Sequence, residues 1–257
     1  MQISLEGRTA LITGASRGIG KAIATHYANA GANVMLTSRK LDALEAAAAE
    51  IAASGAPGET AVFAGNAGNL DVAAECVRAT IERFGGLDIL VNNAATSPHY
   101  GATLDVDPSR YDKTFEVNLR GPVFWTQQAW QAAFKDKPGV IINIASVGGM
   151  RTERGLGVYN LTKAAIIHLT RQLALELGPT RVLGIAPGLV KTDFAAVLVD
   201  NFGDALAKHL PLKRLGEPTD IANLATFLAS DAASWMSGDT YVIDGGAGVM
   251  GGSVALA

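Results

Sequence analysis

Short apolar runs alternate with longer segments of helical periodicity along the whole chain. Runs such as Thr9–Thr13 and Leu87–Val91 lack the strict alternation of polar and apolar residues that a half-exposed strand would have. Strands that are apolar on both faces are typical of a parallel sheet covered by helices on both sides. No linker, repeat or shift in composition divides the chain. The sequence therefore predicts one α/β domain over residues 1–257, built on a doubly wound parallel sheet.

The pattern also sets approximate bounds for each element. The predicted strands are Thr9–Thr13, Asn33–Thr37, Ala61–Ala64, Leu87–Val91, Val140–Ala145, Val182–Ala186 and Thr240–Ile243. The predicted helices are Ile19–Ala30, Leu41–Ala53, Leu70–Phe84, Pro108–Ala133, Val158–Leu177 and Thr219–Ala229. We expect Gly121-Pro122 to break the fourth helix, and the glycine-rich end from Gly245 to Ala257 to be mobile.

Composition excludes several classes of protein. A net charge of −3 gives no electrostatic reason to expect nucleic-acid binding. The single cysteine, Cys76, cannot form an intramolecular disulfide, and the histidines lack metal-ligand spacing, so we expect no metal site. The first residues lack the apolar stretch of a signal peptide, and no apolar run approaches membrane-spanning length. We therefore expect a cytoplasmic protein that binds no membrane.

A glycine-rich loop follows the first predicted strand. The stretch Thr13-Gly-Ala-Ser-Arg-Gly-Ile-Gly20 has the spacing G-x-x-x-G-x-G and leads directly into a helix. Glycines at Gly14, Gly18 and Gly20 would let the backbone approach a pyrophosphate, which the free N–H groups of the helix start would then bind. The alternative is a tight turn that holds no ligand.

The end of the second predicted strand bears on the choice of cofactor. Proteins that bind NAD usually place an acidic residue there, on the ribose hydroxyls. This chain has Thr37-Ser38-Arg39-Lys40, with no carboxylate before Asp42. A hydroxyl and a guanidinium suit the 2′-phosphate of NADP. We predict that Ser38, Arg39 and Arg17 of the glycine loop select NADP(H), the alternative being that Arg39 and Lys40 are merely solvated.

Four further motifs complete a resemblance to a known family. They are Asn92-Asn93-Ala94-Ala95, Ser146, Tyr159-x-x-x-Lys163 and Pro187-Gly188, and Ser146 precedes Tyr159 by 13 residues. Together with the glycine loop they resemble the short-chain dehydrogenase/reductase family over roughly residues 5 to 246. The resemblance is closest to β-ketoacyl-carrier-protein reductases and to NADP-dependent carbonyl or retinol reductases. It implies a Rossmann-type sheet of about seven strands in the order 3-2-1-4-5-6-7, and a homotetramer.

The resemblance assigns catalytic roles to four residues. Tyr159 would exchange a proton with the substrate oxygen, and Ser146 would bond that oxygen. Lys163, four residues on and on the same helical face, would lower the pKa of Tyr159 from its usual value of about 10. Asn118 would order a water for a proton relay, the alternative being a hydrogen bond at a helix kink.

The resemblance also implies a set of cofactor contacts. Asn92 and Ala94 would line the adenosine site, and Asn66 would bond adenine. Val190 and Thr192 would bond the carboxamide. The full predicted set of cofactor-binding residues is Gly14, Ser16, Arg17, Gly18, Ile19, Gly20, Ser38, Arg39, Asn66, Asn92, Ala94, Pro187, Gly188, Val190 and Thr192.

Three segments are predicted to wall the substrate pocket: Thr96–Gly101, Val147–Leu156 and Phe194–Lys213. The last forms part of a lid over about residues 193–213, the alternative being a cap on the core. His99, Tyr100 and Met150 are candidate contacts, and His99 is either a second acid or solvated. Arg151 and Arg154 would bind a phosphate of coenzyme A or of a carrier-linked acyl chain, or are surface charges balanced by Glu153.

Three functions fit these residues. The first is NADPH-dependent reduction of a ketone to a secondary alcohol, with a β-ketoacyl thioester or a medium-sized apolar carbonyl as the substrate. The second is an alcohol, steroid or retinol dehydrogenase that works in the oxidative direction, since the same residues serve both. The third is an NADP-binding module without activity, which the intact catalytic set argues against.

Overall fold

A computed structural model describes residues 3–250 of the chain. The seven strands, β1 to β7 in chain order, are Thr9–Thr13, Asn33–Ser38, Thr60–Ala64, Ile89–Asn92, Val140–Ile144, Arg181–Pro187 and Thr240–Ile243. The eight α-helices of this part, α1 to α8, are Gly18–Asn29, Leu41–Ala53, Leu70–Phe84, Pro108–Phe115, Gly121–Ala129, Gly157–Glu176, Ala196–His209 and Pro218–Ala229. The predicted bounds agree to within about two residues for most of them.

All seven strands pair in parallel in the order β3-β2-β1-β4-β5-β6-β7, which confirms the predicted doubly wound sheet. The strand order reverses between β1 and β4, where Ile12 pairs with Val91. The loops that leave these two strands diverge to opposite faces of the sheet. This divergence opens a crevice at the carboxyl ends of the strands.

The core consists of one apolar layer on each face of the sheet. Alternate residues of each strand point to opposite faces, so Ala10 and Ile12 join the layer under α1, α2 and α8, while Leu11 joins the layer under α3 and α5. Tyr27 is fully buried in the first layer, and Trp125 in the second. Both faces are covered, which explains why the strands carry so few polar residues.

The predicted break at Gly121-Pro122 is wrong. The chain stays helical from Pro108 to Phe134, through a wider π-helical stretch at Glu116–Arg120. Gly121 keeps helical angles, with φ −51° and ψ −63°, and its N–H bonds to the carbonyl of Glu116 five residues back. A π-helical turn of this kind changes the hydrogen-bond pattern just before Pro122, which has no N–H to donate.

The described part of the glycine-rich end is ordered by Asp244. Its carboxylate accepts hydrogen bonds from the backbone N–H groups of Gly246 (2.9 Å) and Gly248 (2.7 Å). A short 3-10 turn follows at Ala247–Val249. The rest of the segment predicted to be mobile, residues 251–257, lies outside the described residues. Within residues 3–250, no helix combines the length and the apolar character needed to cross a bilayer.

Candidate active site

A cavity of about 1370 Å³ lies at the carboxyl ends of the strands, where the strand order reverses. The loops that follow all seven strands form its walls, together with α6 and α7. The predicted cofactor residues line this cavity except for Asn92, and the predicted catalytic residues line it except for Asn118. Within residues 3–250, no group of side chains is arranged to hold a metal ion.

The glycine loop is held close to the first turn of α1. Gly18 has a φ of +57°, which a residue with a side chain rarely adopts. A Cβ at Gly20 would lie 2.4 Å from the carbonyl oxygen of Gly14 and from the amide nitrogen of Asn93. The loop can therefore take this path against Asn93 and the start of α1 only with glycine at these positions. Its geometry fits a bound pyrophosphate.

Asn93, not Asn92, supports the loop. The Nδ2 of Asn93 donates to the carbonyls of Thr13 (2.8 Å) and Gly14 (3.1 Å), and Asn93 lines the cavity. The Asn92 side chain is buried on the other side, where it donates to Asn143 Oδ1 (2.9 Å) and Thr126 Oγ1 (3.2 Å). The Asn92 side chain is therefore directed away from the cavity that Asn92 was predicted to line, and Asn93 lines the cavity instead. Neighbouring residues of an extended chain point in opposite directions, and Asn92 is the one directed into the core.

The end of β2 forms the cavity wall at which the adenosine is predicted to bind. Ser38, Arg39 and Lys40 line it, and no acidic side chain lines this part. Arg39 and Lys40 are exposed, and in the described part of the chain neither forms an ion pair. Asn66 also lines this wall, and its Oδ1 accepts a hydrogen bond from the Gly68 N–H (3.1 Å). These groups fit a 2′-phosphate.

Arg17 is engaged elsewhere. Its guanidinium pairs with the carboxylate of Asp193 at 3.0 Å, and both side chains are exposed. Asp193 follows β6, at the start of the segment that leads into α7. The ion pair thus joins the glycine loop to the predicted lid. The sequence predicted that Arg17 would bind the 2′-phosphate, and the structure instead gives its guanidinium a carboxylate partner.

Tyr159, Lys163 and Ser146 meet at the opposite end of the cavity. Tyr159 and Lys163 lie one turn apart on α6, and the Lys163 Nζ is 5.4 Å from the centroid of the Tyr159 ring. The Nζ also donates to the carbonyl of Ile144 at 2.7 Å. Ser146 follows β5 and accepts a hydrogen bond from the Gly148 N–H (3.1 Å). A Cβ at Gly149 would lie 2.6 Å from the Lys163 backbone, so glycine there permits this loop to pack on α6.

The pKa of Tyr159 lies above its ordinary value, which is opposite to the predicted direction. Burial is the largest cause, the charge of Glu153 raises the pKa further, and a hydrogen bond with Ser146 opposes both. Burial also lowers the pKa of Lys163 to about 8. The prediction considered only the attraction between an ammonium and a phenolate. Removal of both groups from water disfavours both charged forms and outweighs that attraction.

Asn118 is fully buried beside this end of the cavity. Its Oδ1 accepts from the Thr96 N–H (2.8 Å), while its Nδ2 donates to the Thr96 carbonyl (2.9 Å) and to Thr162 Oγ1 (3.2 Å). The side chain therefore ties the loop after β4 to α6. Its backbone carbonyl lies four residues before Pro122, which has no N–H to bond it.

The substrate end has one apolar wall and one polar wall. The apolar wall comes from the segment around α7 and consists of Phe194, Val197, Leu198, Phe202, Leu206 and Leu210. The ring centroid of Phe194 lies 5.9 Å from that of Tyr159. The polar wall comes from the loop between β5 and α6 and contains Arg151, Thr152, Glu153 and Arg154.

Two of the three candidate substrate contacts lie off the cavity. His99 is buried, with its Nε2 2.9 Å from the carbonyl oxygen of Ala102. The alternative prediction, that His99 is a solvated loop histidine, is therefore wrong. Met150 is exposed outside the cavity, while Tyr100 lines it. Glu153 was considered only as a charge partner for the two arginines. Its position in the sequence, six residues before Tyr159, did not indicate that its side chain would line the same cavity as Tyr159.

Comparison with known proteins identifies the family. A family model described as enoyl-(acyl carrier protein) reductase matches residues 14–248. The chain is 35% identical over 246 residues to human "Dehydrogenase/reductase SDR family member 4", covering 94% of this chain and 88% of that protein. It is also 35% identical over 242 residues to "3-oxoacyl-[acyl-carrier-protein] reductase FabG" of Staphylococcus epidermidis, covering 93% and 98%. The chain belongs to the short-chain dehydrogenase/reductase family.

Solved structures of this family have the same fold. A glucose/ribitol dehydrogenase from Brucella melitensis is 34% identical, with a TM-score of 0.89 and coverage of 96% of this chain and 98% of that one. L-Sorbose reductase from Gluconobacter frateurii, solved with NADPH and L-sorbose, is 30% identical with the same TM-score and coverage. Membership of the short-chain dehydrogenase/reductase family makes the chain an oxidoreductase of a group that binds NAD(P)H.

Proposed function

We propose that this protein is an NADPH-dependent reductase that converts a ketone into a secondary alcohol. One observation carries the proposal: a single cavity joins Tyr159, Lys163 and Ser146 at one end to Ser38 and Arg39 at the other. The first group suits hydride transfer coupled to proton transfer. The second suits a 2′-phosphate, because no carboxylate stands beside it to repel that group.

The residues around the cavity fit the cofactor along its length. The glycine loop, with Ser16 and Ile19, would hold the pyrophosphate. Ser38 and Arg39 would hold the 2′-phosphate, and Asn66 and Ala94 the adenosine. Pro187, Gly188, Val190 and Thr192, which follow β6, would hold the nicotinamide. NADPH, when bound, supplies the hydride for the reduction.

Tyr159 is the proton donor in this proposal. Its raised pKa keeps the phenol protonated at neutral pH, which is the form that reduction needs. Ser146 would donate a hydrogen bond to the substrate oxygen and stabilise the charge that develops there. Lys163, with a pKa of about 8, is largely charged at pH 7 and would stabilise the phenolate that Tyr159 becomes.

Proton supply to Lys163 would run past Asn118. Because Pro122 has no N–H to donate to the Asn118 carbonyl, that oxygen would be available to a water near α6. The Asn118 side chain would position the carbonyl through its three hydrogen bonds to Thr96 and Thr162. This assigns Asn118 both the relay role and the structural role that the sequence left as alternatives.

The substrate is a medium-sized carbonyl compound or a β-ketoacyl thioester. The apolar wall of α7 supports an alkyl or acyl chain, and the similarity to a 3-oxoacyl-carrier-protein reductase supports a thioester. Arg151 and Arg154 at the mouth would bind a phosphate of the carrier. The oxidative direction uses the same residues in reverse, with Tyr159 as the proton acceptor.

We further propose a cytoplasmic homotetramer. Exposed apolar side chains on α4, α5 and α6, among them Tyr111, Val123 and Leu161, support a helical interface between subunits. Light scattering at micromolar concentration would give a tetrameric mass, and a monomeric mass would contradict the proposal.

The function is tested by following NADPH and NADH oxidation with a panel of carbonyl compounds. The panel contains acetoacetyl-CoA, a longer β-ketoacyl-CoA, a medium-chain ketone, a diketone and a steroid ketone. We expect turnover with NADPH and at least tenfold less with NADH. Turnover of the thioesters alone would identify an acyl reductase, and a preference for NADH would contradict the role of Arg39.

A further inference from the structure

Glu153 places a carboxylate at the reacting end of the cavity. It lines the cavity between Arg151 and Arg154, and its charge acts directly on Tyr159. A Cβ on Gly148 would lie 2.6 Å from its Oε2, so the carboxylate rests on the loop that carries Ser146. Glu153 thus shares the cavity with Ser146 and Tyr159, the two residues proposed to face the substrate oxygen.

This carboxylate is only partly compensated by the protein. Arg151 approaches it at 3.7 Å, which is too long for a hydrogen bond. The side chain of Glu153 remains 29% exposed. Burial raises the pKa of Glu153, while Arg151 and the Asn160 side chain lower it. A negative charge here also opposes formation of the Tyr159 phenolate. In a protein that reduced only apolar ketones, an apolar residue at this position would not oppose formation of the Tyr159 phenolate.

The surroundings point to a polar group on the substrate. A second, open groove of about 490 Å³ adjoins the cavity, and both are lined by Glu153, Arg154 and Tyr100. Across the cavity, the wall around α7 is apolar. A substrate that fits both walls has an alkyl part beside Phe194 and a hydrogen-bond donor beside Glu153.

We propose that Glu153 is a specificity-determining residue that accepts a hydrogen bond from a hydroxyl group on the carbon next to the reacting carbonyl. The preferred substrate is then an α-hydroxy ketone with an alkyl chain. This inference rests on the proposed ketone reductase and narrows its substrate class. A hydroxyl group would add a hydrogen-bond donor to a carboxylate that Arg151 approaches only at 3.7 Å, and a hydrogen bond to a charged acceptor is among the stronger ones.

Four ketones that differ only at one position test this role. They are 2-octanone, 1-hydroxy-2-octanone, 1-methoxy-2-octanone and 2-oxooctanoate. The methoxy compound keeps the oxygen but cannot donate, so it separates hydrogen bonding from the electronic effect of the oxygen. The keto acid reveals whether Arg151 and Arg154 instead select an anion. Each is measured with NADPH as kcat/KM.

The wild-type protein should prefer the hydroxy ketone over the methoxy ketone by about 10- to 100-fold. Glu153→Leu should reduce this ratio to about one, and Glu153→Gln, which keeps an acceptor but no charge, should give an intermediate ratio. Turnover of 2-octanone should persist in both variants. Glu75→Gln, an exposed change on α3, is the matched control and should leave the ratio unchanged. Circular dichroism and thermal melting would verify that each variant is folded.

Three results would overturn the inference. One is an unchanged ratio in both Glu153 variants, and another is a wild-type preference for the methoxy ketone or 2-octanone. A preference for 2-oxooctanoate would assign the polar wall to the arginines. If 2-octanone is reduced and Tyr159→Phe abolishes this, the proposed function stands even when the role of Glu153 fails. If no ketone in either panel supports NADPH oxidation, both are overturned.

Discussion

The two ends of the cavity differ in how far their charged groups are removed from water. At the β2 end, Arg39 and Lys40 are exposed beside Ser38. At the α6 end, Lys163 is only 3% exposed, and burial lowers its pKa to about 8. A charge at the first end is screened by solvent, whereas a charge at the second interacts several times more strongly with its neighbours.

This difference separates selection of the cofactor, at the exposed end, from catalysis, at the buried end. At the exposed end, a few substitutions can change the preference between NADPH and NADH, because each side chain contributes a modest and nearly independent part of the binding free energy. The buried end is coupled: Glu153 raises and Ser146 lowers the pKa of Tyr159, and the Lys163 Nζ lies 5.4 Å from the centroid of its ring. Substitutions there should therefore have larger effects, and on more than one property.

The largest effect is expected from Tyr159→Phe, which removes the proton donor from the buried end. We expect kcat to fall by about a thousandfold, within the range typical of general acid catalysis. The affinity for NADPH, measured by fluorescence titration, should change less than about threefold, since the exposed end is intact. A protein that only binds NADPH would have no turnover to lose.

Lys163→Met should abolish turnover and yet stabilise the fold at pH 7. The pKa of Lys163 falls from 10.5 in the unfolded chain to about 8. The unfolded chain therefore binds the proton more tightly, and burial of the charged lysine costs stability at pH 7. This cost disappears as the pH rises from about 8 to above 10. Each pKa unit corresponds to about 1.4 kcal/mol.

After the lost hydrogen bond to Ile144 is subtracted, we expect Lys163→Met to raise the free energy of unfolding by about 2 kcal/mol at pH 7. The gain should shrink at pH 10. Urea denaturation at the two pH values measures both. A loss of stability at pH 7 would mean that Lys163 is well solvated or well paired, and the contrast between the two ends would weaken.

Arg39→Ala tests the exposed end. We expect the Kd for NADPH to rise about 10- to 100-fold, from the loss of a charge-assisted contact with the 2′-phosphate, while the Kd for NADH stays within about threefold. Lys135→Ala, an exposed cation that does not line the cavity, is the control. Equal losses of affinity for NADPH and NADH would show that Arg39 binds a part of the cofactor that is common to both.

The smallest effect is expected from Asp193→Asn, which breaks the exposed ion pair with Arg17. The free energy of unfolding should change by less than about 1 kcal/mol, as for other exposed pairs. The released Arg17 could then reach the 2′-phosphate, so the Kd for NADPH should fall about two- to threefold. Arg17→Ala in the same protein should remove this gain. Weaker NADPH binding in Asp193→Asn would instead make the ion pair part of the bound conformation.

Several features of the site could be predicted because they depend on spacing along the chain. Gly18 and Gly20 follow a strand and open a helix, a pattern that indicates a phosphate loop. Tyr159 and Lys163 share a face of α6 because they are four residues apart. The choice between Asn92 and Asn93 could not be made, since it depends on which side of the sheet each side chain faces.

Taken alone, the amino-acid sequence determined the parallel sheet, the strand and helix bounds, the family and most residues that line the cavity. All of these follow from local periodicity and from the order of short motifs. Only the tertiary structure decided that the helix continues past Pro122, that Arg17 pairs with Asp193 and that Glu153 lines the same cavity as Tyr159. It also reversed the expected pKa shift of Tyr159. These features depend on contacts between distant segments and on the exclusion of water, and neither is encoded in the spacing of neighbouring residues.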